Sequence, residues 1–97
     1  MCAVEFTIQP EDVVARAGDA VVMRCQYTHS TGELRLEWDK DMTSIVDGGV
    51  CDCEVVDGDL RFMNVTANDV GEYTCTARIP ITFDTHSCTA MLTLAGK

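Results

Sequence analysis

Ninety-seven residues and a mass of 10.6 kDa accommodate one domain, taken here as residues 1–97. Seven basic residues against sixteen acidic ones leave a net charge of −9, which argues against a nucleic-acid backbone or an anionic lipid surface as partner. An apolar share of 46% suits a folded domain, and no charge-free stretch is long enough to insert into a bilayer. With no basic-then-apolar leader at its start, the chain reads as a module excised from a longer protein.

The apolar residues recur with period two almost throughout, which predicts short strands and little helix. Pro10 removes a ladder donor and predicts a break in the first strand. Gly18-Asp19 marks a turn, after which Val21, Met23 and Cys25 alternate with Val22 and Arg24. A polar loop is expected from His29 to Gly32. Leu34, Leu36 and Trp38 then alternate with Arg35, Glu37 and Asp39. Turns at Asp47-Gly48-Gly49 and Asp57-Gly58-Asp59 lead to the Leu60 and Phe62 strand. Asn68 to Gly71 precedes a strand carrying Tyr73, Cys75 and Ala77, and Ala90, Leu92 and Leu94 close the chain. Connections this short favour antiparallel pairing. The expected fold is an all-β antiparallel sandwich of seven to eight short strands.

Six cysteines in so small a chain predict disulfides and an oxidising compartment. Reduced, buried thiols in a cytosolic domain are the alternative. Zinc is disfavoured, because Cys51 and Cys53 form one close pair while His29 and His86 lie far off in sequence.

Trp38 follows Cys25 by thirteen residues, Cys75 follows it by fifty, and Tyr73 stands two before Cys75. The run Asp59-Leu60-Arg61-Phe62-Met63-Asn64-Val65-Thr66, then Asp69-Val70-Gly71-Glu72-Tyr73-Thr74-Cys75, completes the pattern. This resembles the immunoglobulin superfamily signature L-x-F-x-x-V…D-x-G-x-Y-x-C from Phe6 to Leu94. The resemblance implies a core Cys25–Cys75 bridge with Trp38 against it, a Tyr73 hydroxyl bonded back to the preceding corner, and Asp69 in the core at the family's position. The segment from Trp38 to Leu60 is too short for the extra strands of a variable domain, so an intermediate-set or constant-like layout is expected. Cys25-Gln26-Tyr27-Thr28-His29 and Leu34-Arg35-Leu36-Glu37-Trp38 are similar to the last Ig module of L1 and contactin neural adhesion molecules. Cys51, Cys53 and Cys88 stand outside that pattern. The same signature occurs in cytosolic muscle modules of the titin and obscurin type.

Four cysteines remain after the core pair. A Cys51–Cys53 bridge would be too tight in an extended strand, which leaves Cys2 and Cys88 each joined to one member of the C-x-C pair. Alternatively, Cys2–Cys88 forms a bridge near the first and last strands and frees Cys51 and Cys53 for other bonds. Cys2 could equally bond to another chain. Extra staples and a redox or intermolecular role are both open on sequence grounds.

Asn64-Val65-Thr66 is an N-glycosylation acceptor. His29 and His86 read as surface loop residues, and no catalytic constellation or cofactor site is visible. Asp39, Asp41, Asp47, Asp52, Glu54, Asp57 and Asp59 form an acidic belt, read as a solvated face able to meet a basic surface. The segment from Arg78 to Ser87, expected as a loop, carries Ile79, Pro80, Ile81 and Phe83. Either a hairpin buries that apolar set, or Ile79, Ile81 and Phe83 form a partner contact. The expected role is recognition or spacing in the extracellular part of an adhesion or receptor glycoprotein. Neighbouring Ig or fibronectin type III domains are implied, with a protein partner that could be a second copy. A structural link in an intracellular muscle or cytoskeletal protein is the rival.

Overall fold

The computed structural model describes Cys2 and residues 5–28, 34–45, 51 and 53–95. The expected loops at His29 to Glu33 and Asp47-Gly48-Gly49 lie outside the described residues. Among the described residues ten strand segments form: β1 (Phe6–Ile8), β2 (Val13–Ala15), β3 (Val21–Met23), β4 (Gln26–Tyr27) and β5 (Arg35–Lys40). They continue as β6 (Thr43–Ser44), β7 (Cys53–Val56), β8 (Asp59–Phe62), β9 (Gly71–Ile79) and β10 (Asp84–Leu94). One layer is the five-stranded sheet β2-β10-β9-β5-β6, and the other comprises β3-β8-β7 and the pair β1-β4.

The expected alternation is visible in the burial. Val21, Met23 and Cys25 point inward, as do Leu60 and Phe62, and Tyr73, Cys75 and Ala77. They meet Trp38, Ala90 and Leu92 in one apolar core. The Cys25–Cys75 bridge crosses it with a Cα separation of 6.7 Å. Trp38 stands opposite Cys75 in the β5–β9 register, which places the indole beside the bridge.

One pairing departs from the antiparallel expectation. β2 runs parallel to β10, matching Val13 to Leu92 and Ala15 to Leu94. A crossover helix is needed only when parallel neighbours are close in sequence. Here the whole domain separates them. Pro10 lies in the gap between β1 and β2, where the chain leaves one sheet for the other.

The higher strand count has a local cause. β3 and β4 form one line interrupted at Arg24 and Cys25. There the backbone N–H of Cys25 donates to Asp59 Oδ1 at 3.1 Å, and the side-chain amide of Gln26 reaches the same oxygen at 3.2 Å. Asp59 is therefore a structural acceptor, not merely a member of a solvated acidic face. Asp41 is another, since its Oδ1 accepts from the Glu72 N–H at 3.0 Å. A Cβ on Gly71 would stand 2.7 Å from the other Asp41 oxygen, so a larger residue there would have to displace that carboxylate.

The turn before β9 matches the corner implied by the family resemblance. Thr66 caps a 3-10 turn, Ala67–Asp69, and its own N–H donates to Asp69 Oδ2 at 2.9 Å. The Tyr73 hydroxyl donates to the Asp69 carbonyl at 2.5 Å. Burial, reinforced by the charges of Asp69 and Asp41, pushes the Tyr73 phenol far above its ordinary range.

Candidate binding site at the hairpin tip

β9 and β10 form the longest hairpin of the domain, with Asp84 opposite Ile79 closing the loop Pro80 to Phe83. The segment from Arg78 to Ser87 is thus mostly strand: the hairpin of the two expected alternatives forms, and the expected loop shrinks to Pro80 to Phe83. Hydroxyls pair across the two strands: those of Thr76 and Ser87 meet at 3.0 Å, as do those of Thr74 and Thr89. Such pairs support a ladder as apolar pairs do. Proline begins the reversal with a preset φ. The Thr82 N–H donates to the Ile79 carbonyl at 3.2 Å, and its hydroxyl donates to Asp84 Oδ2 at 2.9 Å.

The three apolar candidates separate here. Ile79 is 4% exposed and belongs to the interior, whereas Ile81 is 72% and Phe83 89% exposed. Phe83 also adopts φ +61, a left-handed conformation that glycine or asparagine takes far more readily. Holding a bulky residue there costs about 1 to 2 kcal/mol. Strain and exposure coincide at one phenyl ring, and Ile81 lies two residues away.

Below the tip, Arg35 on β5 stands opposite Arg78 on β9. Arg78 Nε lies 2.8 Å from Glu37 Oε1, and that bond and charge hold its guanidinium above the ordinary range. Both partners are half-exposed, so the pair adds little to stability. A shallow recess of about 290 Å³ is lined by Arg35, Arg78, Ile79, Pro80 and Phe83, with Asp84 and Thr85 completing it.

His86 is not in a loop. It lies within β10, half-buried and stacked on Tyr27 with ring centroids 5.9 Å apart, and Phe6 meets Tyr27 edge-on at 4.9 Å. Burial, then the charges of Glu5 and Asp84, raises the Tyr27 phenol above its ordinary range. The strand overshoots the apolar core, so its inward position is filled by a ring with a polar edge. His29 lies outside the described residues.

The remaining cysteines fall into two pairs. Cys2 joins Cys88 with a Cα separation of 5.1 Å. Cys51 sits beside Cys53 at 5.2 Å as the third bridge, contrary to the reasoning that excluded it. That reasoning assumed an extended strand, where such residues stand about 6.6 Å apart. Here β7 begins only at Cys53 and Cys51 occupies a bend, which shortens the span. Among the described residues, no group of three or more His, Cys, Asp or Glu side chains could hold a metal ion. No helix among them is long and apolar enough to cross a membrane.

Asn64 is exposed in the bend after β8, on the segment that leads into β9, whereas the tip follows the end of β9. A nine-residue strand spans about 30 Å. The acceptor asparagine and the apolar tip therefore lie at opposite ends of the sandwich.

Similar proteins agree with this architecture. Residues 4–94 match the immunoglobulin I-set domain family. Protein turtle of Drosophila melanogaster is 30% identical over 74 residues, covering 75% of this chain and 5% of turtle. An I-band fragment of titin is 30% identical with a TM-score of 0.75, over 92% of this chain and 31% of the fragment. The extracellular domains 3–5 of Drosophila OTK share the fold, with 23% identity, a TM-score of 0.78, and coverage of 94% of this chain and 31% of theirs. The chain spans a third or less of these three proteins, and it belongs to the immunoglobulin I-set domain family.

Proposed function

We propose that this chain is an extracellular recognition module of an adhesion or receptor protein, acting through the Ile81 and Phe83 tip and without catalysis. The observation that carries the compartment is the Cys25–Cys75 bridge through the core, with Cys2 brought to Cys88 beside it. Such pairing persists in oxidising compartments and is rare in the cytosol. The similarity to turtle and to the extracellular domains of OTK supports this reading. Two aromatic or aliphatic side chains held in solvent at a strained turn support contact with a protein surface. Neighbouring Ig or fibronectin type III domains flank the module in this reading, and Asn64, clear of the tip, carries a glycan.

Intact mass with and without alkylation, under non-reducing conditions, tests the compartment. Three intrachain bridges support it. Six alkylatable thiols in the folded chain would overturn it in favour of a structural link inside the cell, the reading that the titin similarity supports. Phe83→Ser tests the tip: partner binding should weaken while the melting temperature stays unchanged. A lowered melting temperature with unchanged binding refutes the contact.

A further inference from the structure

Resting on the reading that the hairpin tip meets a partner, we propose that Arg35 and its recess select an extended acidic segment of a separate protein. The segment presents a carboxylate beside an apolar side chain. Arg35 and Arg78 occupy directly opposed positions on β5 and β9. Like charges so placed repel, yet two of the seven basic residues of the chain stand here. Glu37 engages Arg78, whereas Arg35 is exposed and forms no ion pair among the described residues. Asp84 also lines the recess, its carboxylate accepting from the Thr82 hydroxyl, so an incoming carboxylate must sit on the Arg35 side.

The recess therefore offers, next to Ile79, Pro80 and Phe83, one guanidinium with no ion pair among the described residues. A guanidinium fork fits a carboxylate bidentately, and an apolar wall excludes water from that pairing. Ile81 and Phe83 then accept the neighbouring apolar side chain. The net charge of −9 narrows the choice of anion. A long polyanion such as a sulfated glycan would run onto acidic surface, while a short acidic segment touches the recess alone. The same repulsion disfavours a second copy of the chain.

The test is an NMR amide-shift titration of the intact chain with a short peptide alternating glutamate and leucine. Matched peptides carry glutamine for glutamate or serine for leucine, and a heparin-derived oligosaccharide forms a further arm. The alternating peptide should shift amides at Arg35 and from Arg78 to Thr85. Glutamine in the peptide, or Arg35→Glu in the chain, should each weaken binding about tenfold. Arg35→Glu should keep its melting temperature, because the new charge faces Arg78 attractively.

Equal binding of the glutamine peptide, abolished by Phe83→Ser, overturns the carboxylate preference and leaves the tip reading standing. Absence of shifts with every peptide, or binding of the oligosaccharide alone, also overturns the proposal. Self-association that Arg35→Glu abolishes would identify a second copy as the occupant and overturn it too.

Discussion

The indole N–H of Trp38 donates to the carbonyl of Gly58 at 2.9 Å, joining β5 of one sheet to the β7–β8 turn of the other. Gly58 holds φ +87, and a Cβ there would stand 2.8 Å from a Leu36 methyl and 3.0 Å from the Cys25 carbonyl. Gly58→Ala should therefore cost about 2 kcal/mol, from left-handed strain and from the clash with backbone. Urea unfolding followed by Trp38 fluorescence would measure it. A change within about 0.5 kcal/mol would show that the turn moves freely.

A second turn runs against its own residue preferences. Asp41 and Met42 close the β5–β6 hairpin with φ +48 and +70, and Met42 is 92% exposed. A primed two-residue turn favours Asp-Gly. Met42→Gly should stabilise the domain by about 0.5 to 1 kcal/mol, since relief of strain outweighs the extra freedom of the unfolded chain. The midpoint of chemical unfolding should rise.

Alkaline pH should weaken the fold through Tyr73. Its ordinary pKa is 10.0, and burial raises it strongly in the folded state. Stabilisation by the protonated phenol is complete below about pH 10. Above that pH the unfolded chain releases a proton that the folded chain retains, so stability falls as pH rises. Tyr73→Phe should lower stability at neutral pH by about 1 kcal/mol and reduce the alkaline decline. Unfolding free energies measured from neutral to alkaline pH would check both; a variant declining as steeply as the parent would remove Tyr73 as the cause.

The bridges should rank by the chain they enclose. Cys2–Cys88 spans 86 residues, Cys25–Cys75 spans 50 and Cys51–Cys53 only 2. Loop-closure entropy assigns the first two about 4 to 5 kcal/mol each and the last about 1.5. Paired serine replacements at Cys51 and Cys53 should therefore leave a folded domain, whereas those at Cys2 and Cys88 should lower the melting temperature far more. Equal losses would contradict the ranking.

Much of the fold was legible because inward alternation at Val21 to Cys25, Leu60 to Phe62 and Tyr73 to Ala77 depends only on local spacing. The Cys25, Trp38, Tyr73 and Cys75 spacing added the sandwich. Tertiary facts were not legible. Arg35 meets Arg78 only through the register of two strands forty-three positions apart in the chain. Asp59 reads as a surface charge until the interrupted β3–β4 line supplies donors for it. Thr85, His86 and Ser87 read as a loop because polar residues fill both faces where β10 passes beyond the core. The bend at Cys51 leaves no local mark that distinguishes it from an extended strand. At the tip, sequence grouped Ile79 with Ile81 and Phe83, and only the position of the turn shows which of them face solvent.

The Cys2–Cys88 bridge has a mechanical consequence. A pulling force applied at the two chain ends would pass from Cys2 directly into Cys88, bypassing the residues between them. Only the last stretch of β10 would carry it, in shear against β9 through Leu92 and against β2 from Leu92 to Leu94. With the bridge closed, rupture of the rest of the sandwich would release almost no length. The oxidised domain would behave as a short, inextensible link, and reduction of that one bond would convert it into a spring able to pay out the segments before Cys25 and after Cys75, the loop between them staying locked by the core bridge.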